Sequence, residues 1–173
     1  MIMKTARVLF VTVVIALALK SAFGTSVIPP TFDQLVQQAQ LIFEGTVLNV
    51  RSHWTGEGAQ RHIASDVTFA VEEPIKGEPG TTYTLTMVGG TVGDETLQVA
   101  DAPQFKRGDH DILFVENNGS QFIPLVGIMH GRYRIQQDEV TTDDGKPLIQ
   151  NGNVVRASEF KSAIRDRLTA AGR

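Results

Sequence analysis

Apolar positions along the chain change their spacing twice, and those changes divide it into elements. Within "PPTFDQLVQQAQ" (Pro29 to Gln40), Phe32, Leu35, Val36 and Ala39 fall on one face, the spacing of a short amphipathic helix. Thr31 is followed three residues later by Gln34, the arrangement in which two side chains cap each other's backbone N–H at a helix start. From Leu41 the period becomes two. "LIFEGTVLNVRS" reads as a strand, with Gly45 inside it marking a bulge or bend. "HIASDVTFAVEE" places Ile63, Val67, Phe69 and Val71 on one face and His62, Asp66, Thr68 and Glu72 on the other. "HWTGEGAQR" between them is a Gly-containing connection that closes a long hairpin.

"TTYTLTMV" alternates again, with Tyr83, Leu85 and Met87 opposed to Thr82, Thr84 and Thr86. "HDILFVEN" and "SQFIPLVG" read as strands on either side of the turn signal Asn117-Asn118-Gly119. "GRYRIQQDEV" supplies one more strand, and "TTDDGKPLIQNGN" reads as an exposed polar segment. The helical period returns in "ASEFKSAIRDRLTAA", where Phe160, Ile164 and Leu168 form one stripe and Ser158 is placed to cap the start.

Five or six short strands in succession, separated by Gly, Asn, Asp or Pro, predict a mainly β fold: an antiparallel OB-type barrel with a short N-terminal and a C-terminal helix. The organisation expected is a signal peptide over residues 1–24, an N-terminal segment and helix over 25–40 and a barrel over 41–140. A polar loop over 141–155 and a helix over 156–171 packed on the barrel complete it.

The first residues bear on compartment. Lys4 and Arg7 precede an apolar run from Val8 to Leu19, followed by Lys20-Ser21-Ala22-Phe23-Gly24-Thr25, the pattern of a secretory signal. Cleavage is expected after Gly24 or Ala22, and an uncleaved anchor is the competing reading. The 12-residue apolar run is short against the roughly 20 residues of a spanning helix. The chain is therefore expected to be exported, to a bacterial periplasm or the cell exterior, with no stable membrane insertion once the signal is removed. Losing residues 1–24 takes out Lys4, Arg7 and Lys20 and no acid, so 16 basic against 19 acidic residues become 13 against 19, a net charge of −6. Such a chain is a poor partner for nucleic acid, whose affinity rests on phosphate neutralisation. With no cysteine, stability must come from a core without disulfides.

"MVGGTVGDETLQV" (Met87 to Val99) carries Gly89, Gly90 and Gly93 within five residues. A phosphate loop would add a lysine and open a helix; here Asp94 and Glu95 follow, and then a strand-like run. The glycines are read as a loop between strands at the barrel rim, taking positive φ. The absence of cysteine excludes thiol nucleophiles and thiolate metal sites. Of the four histidines, His53 and His62 flank the first hairpin connection and form the best two-ligand metal geometry, without a third placed ligand. In "GDHD", Asp109, His110 and Asp111 cannot converge on one ion, because successive strand residues face opposite ways. No catalytic residue, metal site or cofactor is assigned. Trp54, the single tryptophan, is read either as a binding aromatic or as part of a local cluster. With Gly89, Gly90, Gly93 and Asp94 it makes up the candidate rim site.

Five features follow in order: Gly45 in the first strand, Lys76-Gly77 ending the second, Gly89-Gly90, Pro103 to Gly108 before an apolar strand, and Gly131 to Ile135. This pattern resembles a group of uncharacterised exported bacterial proteins. The strand order also resembles the netrin-like OB-type barrel of the tissue inhibitors of metalloproteinases. The resemblance to the inhibitors implies protease inhibition, but those proteins hold the protease zinc through an N-terminal cysteine that this chain lacks. Three functional classes follow: an exported non-catalytic binding module for a protein or glycan, a protease-inhibitor-like or protease-accessory protein, and an enzyme with a dispersed site.

Overall fold

In the computed structural model residues 29–171 are described, and the signal-peptide reading of residues 1–24 lies outside them. Helix α1 (Phe32–Gln38) begins at the capping box: Thr31 N–H donates to Gln34 Oε1 at 2.8 Å and Gln34 N–H to Thr31 Oγ1 at 3.3 Å. Its last turn is held by Lys76, whose ammonium donates to the Val36 and Gln37 carbonyls, groups with no partner inside a helix end.

Strands β1 (Leu41–Thr55), β2 (His62–Lys76) and β3 (Thr82–Val88) form an antiparallel meander, with a 3₁₀ turn, Gly58–Gln60, between the first two. The hairpin β4 (Gly90–Val92) and β5 (Glu95–Leu97) follows, then β6 (His110–Val115), β7 (Arg132–Gln136) and β8 (Glu139–Thr142). A short pair, β9 (Ile149–Gln150) and β10 (Asn153–Val154), leads into helix α2 (Ala157–Ala171). The main sheet is mainly β architecture in six strands, ordered β3-β2-β1-β6-β7-β8, all pairs antiparallel. Strand β1 pairs with β2 from Ile42 to Thr55 but with β6 only from Leu41 to Thr46. The register shifts at Glu44/Gly45, where a Cβ on Gly45 would lie 2.5 Å from the Ala70 carbonyl oxygen. Only glycine allows that approach, so the bend expected at Gly45 has a steric cause.

The expected barrel does not close among the described residues: the sheet ends at β3 and β8. Both edges are occupied by loops instead. Thr86 N–H donates to Asn118 Oδ1 (3.0 Å), Asn118 Nδ2 to the Thr84 carbonyl (2.8 Å) and Val88 N–H to the Phe122 carbonyl (2.8 Å). On the other side, Val140 N–H reaches the Val155 carbonyl and Thr142 N–H that of Lys146. With these groups satisfied, neither edge is left to pair with the other.

Four further expectations are corrected. "SQFIPLVG" is not a strand but an irregular segment, buried from Ile123 to Val126, with one bridge, Val115↔Leu125. Pro124 has no N–H for a ladder, and Gly127 and Ile128 both take φ of 64°. "GRYRIQQDEV" is two strands, because Gln137 (φ 52°) and Asp138 (φ 68°) make a two-residue turn of the kind usually marked by Asn-Gly. That marker does stand at Asn151-Gly152, joining β9 to β10 inside the segment read as a polar loop. Helix α2 starts at Ala157, so Ser158 lies inside it and Glu159 Oε2 accepts from Arg156 N–H.

The core forms two layers. Ile42, Ile112, Phe114 and Val140 pack against α1 and α2, chiefly through Leu35, Val36, Phe160 and Ile164. On the opposite face Phe43, Val47, Val67, Phe69, Leu85 and Leu113 are covered by Ile123 and Leu125. Each fully buried side chain of this size contributes about 1.5–3 kcal/mol, so apolar burial holds α2 in place more than helix propensity does.

Candidate functional site

The candidate site lies on the face away from the helices, where β4–β5 folds over the β1–β2 hairpin. Ser52 and Ser65 are cross-strand partners with their hydroxyl oxygens 2.9 Å apart. Ser65 Oγ–H donates to the Gly89 carbonyl at 2.6 Å, and Thr91 N–H donates to Ser52 Oγ at 3.3 Å. Thr91 and Thr96 hydroxyls meet at 2.9 Å across the hairpin. These bonds fix the height of the hairpin over the strands. Gly90, at φ 129°, makes the crossing possible, since a Cβ there would lie 2.3 Å from both serine oxygens.

The result is a cleft of about 420 Å³ floored by Val50, Ser52, Ser65 and Val67 and walled by Gly89 to Thr91, Thr96 to Val99 and Phe105. Among the described residues no Asp, Glu, Lys, Arg or His lines it. Phe105 meets Phe69 edge-on at 5.6 Å between centroids, and the Arg132 guanidinium lies 4.1 Å from its ring centre. That aromatic is thus engaged by Phe69 and Arg132 within the protein.

Behind Phe105 lies a charged cluster. Arg132, 2% exposed, reaches Asp109 Oδ2 (2.7 Å), Asp111 Oδ2 (3.0 Å), Asp143 Oδ1 (2.9 Å) and the Gln104 carbonyl (2.8 Å). Burial pushes the Asp111 carboxyl up to about 6, and neighbouring Asp109 adds to the rise, outweighing the attraction of Arg132. Asp109 is also raised by burial, but the Lys106 N–H together with Arg132 and Arg134 overcomes this and holds it below the ordinary carboxylate range. Arg132 and the three carboxylates bind chiefly one another, the arrangement of a structural network rather than a ligand site, with Asp111 Oδ1 and Arg132 Nε buried without a hydrogen-bond partner.

The candidate residues separate in space. Gly89 and Gly90 line the cleft, and Gly93, with φ of 61°, and Asp94 form the exposed turn joining β4 to β5. Trp54, opposite Ile63, lies under Arg61, whose guanidinium carbon is 4.3 Å from the ring centre. His53 Nδ1 lies 3.5 Å from Asp66 Oδ2, and His62 Nδ1 lies 2.8 Å from the Gln60 carbonyl. Both histidines line a shallow pocket beside Phe122, and among the described residues they belong to no group of three potential metal ligands. The "GDHD" residues divide as strand alternation requires: Asp109 and Asp111 turn toward Arg132 and His110 toward Glu44. Sequence reasoning missed the serine pair, whose only signal was a hydroxyl at an inward position of each of two paired strands.

Comparison with known proteins adds no assignment: no family model, curated protein or solved structure matches the chain.

Proposed function

We propose that the chain is an exported, non-catalytic binding module of OB-type layout whose cleft takes an extended, uncharged segment of a protein partner. The observation that carries this reading is the charge-free lining of the cleft in a chain with 20% charged residues. An ionic ligand would meet no counter-charge there, whereas a neutral segment meets apolar walls and oriented hydroxyls. A peptide is favoured over a glycan because the aromatics that a sugar would stack on are engaged, Trp54 by Arg61 and Phe105 by Phe69 and Arg132. Strand β1 adds a second argument. Val47 still bonds Asp109 and Gly108 on the β6 side; beyond it β1 has no partner strand there among the described residues, and Val50 and Ser52 of that stretch line the cleft. An unpaired edge beside apolar pockets suits an added strand, with backbone hydrogen bonds giving affinity and alternate side chains giving selectivity. The bent β1 shared between β2 and β6 supports the OB-type layout.

The test is selection from a displayed library of extended peptides on immobilised protein from Thr25 onward, repeated with Gly90→Ala and Ser65→Ala. Enrichment of uncharged sequences with alternating apolar residues is expected, with binding at least about tenfold weaker for Gly90→Ala, a loss of about 1.4 kcal/mol. Enrichment of charged sequences only, or equal binding by both variants, would refute the reading.

A further inference from the structure

On the helix-facing side of the sheet, Glu44, Glu72 and His110 bring three potential ligand atoms within 4.8 Å of one another. We propose that they form a binding site for a divalent first-row transition ion, of which Zn²⁺ is the best match to one imidazole nitrogen and two carboxylate oxygens. The site is independent of the peptide cleft, which lies on the other face.

Three observations carry this. The first is the placement of His110. Its Nε2 is closed off from solvent and has no hydrogen-bond partner, although Glu44 Oε1 stands 2.9 Å away and Glu72 Oε2 3.3 Å away. Neither oxygen sits where an Nε2–H would point. Atoms sharing a cation at bonds of about 2.0–2.1 Å, with angles of about 90–110°, are themselves about 2.8–3.4 Å apart and lie off each other's donor axis. The two carboxylates occupy that kind of position around Nε2.

The second observation is that the remaining carboxylate oxygens are taken. Lys161 Nζ holds Glu44 Oε2, and the Thr46 hydroxyl donates to Glu72 Oε1 at 2.6 Å. Outer partners of this kind orient ligands toward a metal and raise affinity for it. The ligands also come from rigid elements, Glu44 on β1, Glu72 on β2 and His110 on β6, and Thr46 and His110 are cross-strand partners.

The third is charge and access. Glu44, Glu72 and Glu73 face Lys161 and Arg165, with Lys161 bridging Glu44 and Glu73 and Arg165 paired to Glu73. Three carboxylates against two cations leave one negative charge for an incoming ion. Glu44 is buried, but the side chains of His110 and Glu72 keep 32% and 47% exposure, which leaves the ion a path from solvent and room for water in its remaining positions.

The experiment is titration of tag-free, chelator-treated protein with Zn²⁺ by calorimetry, and with Co²⁺ read by its visible absorption, for the native chain, Glu72→Gln, His110→Ala and the double variant His53→Ala/His62→Ala. One equivalent bound by the native chain, weakened at least tenfold in Glu72→Gln and His110→Ala and unchanged in the double variant, is expected. Glu72 is exposed and its replacement preserves shape, so loss of binding there is not a folding effect; unchanged circular dichroism checks this for both variants. No uptake by the native chain, uptake indifferent to Glu72→Gln and His110→Ala, or uptake lost in the double variant would each overturn the assignment.

Discussion

On the sheet face away from the helices, the cleft and the Arg132 cluster share Ala102 and Gln104 as a wall and differ in almost everything else. The cluster gathers three carboxylates around one guanidinium, and Arg132 and Asp111 are shut off from water. The cleft holds no charge, stays open, and spends its hydroxyls on positioning its own wall. Charges removed from water must find each other or destabilise the fold, so a buried cluster whose opposite charges are paired within the chain points to construction. A hollow that the chain leaves open and uncharged, at the cost of a glycine at φ 129°, points to something that enters it.

The comparison can be broken from either side. The largest expected effect is Arg132→Met. It leaves Asp109, Asp111 and Asp143 without their shared counter-ion, and removing one member of a buried charge set costs about 3–5 kcal/mol. The urea unfolding midpoint should fall accordingly, while peptide capture per folded molecule is retained. Next is Gly90→Ala. A side chain forced into the 2.3 Å gap to Ser52 and Ser65, in a backbone region that disfavours it, should cost about 1–3 kcal/mol and lower capture far more than Arg132→Met does.

A smaller effect follows from titration of Asp111. Its folded value, about 6 against an ordinary 3.8, means that the folded chain holds this proton more tightly than the unfolded one. Asp111 therefore lends most stability when protonated in both states, below its unfolded value, and that contribution is lost as pH rises toward 6. Asp109 runs the other way, because its folded value is depressed: its contribution is present above the unfolded value and lost as pH falls through the folded one. Asp111→Asn should flatten the fall in stability between pH 3.8 and about 6 and leave the acid limb below it in place. The smallest change is expected for Arg165→Ala. Its partly exposed pair with Glu73 should be worth no more than about 1 kcal/mol, and thermal melts at two salt concentrations will show it.

Much of the fold was legible because local pattern and global packing agree. The capping box at Thr31 and Gln34, the alternation of β2 and β3, and the Phe160/Ile164 stripe all lead to the buried faces observed. What the pattern could not convey was pairing at a distance. The expected closure fails because the loop after β6 occupies the β3 edge, with Asn118, 32 residues along the chain from its partner Thr86, and the Phe122 carbonyl bonding it. The apolar run at Ile123 to Val126 read as a strand because buried irregular segments and buried strands share the same composition. The turn at Gln137-Asp138 carried no glycine to announce it.

The sites were less legible than the fold. The glycines of the cleft were visible in the sequence, but the serines they cross became meaningful only through the β1–β2 register. Glu44 offered a signal that was passed over, an acid within the apolar run "LIFEG". Its reason is the lysine it meets on α2, which is 117 residues away in sequence.

The most direct test of the central claim is to map amide chemical shifts of the isotopically labelled protein during titration with the best library-selected uncharged peptide. Shifts are expected to concentrate at Val50, Ser52, Ser65, Gly89, Gly90 and Thr96, with the helix-facing side unmoved. Shifts confined to α1 and α2, or to the hairpin tip around Trp54 and Arg61, would contradict it.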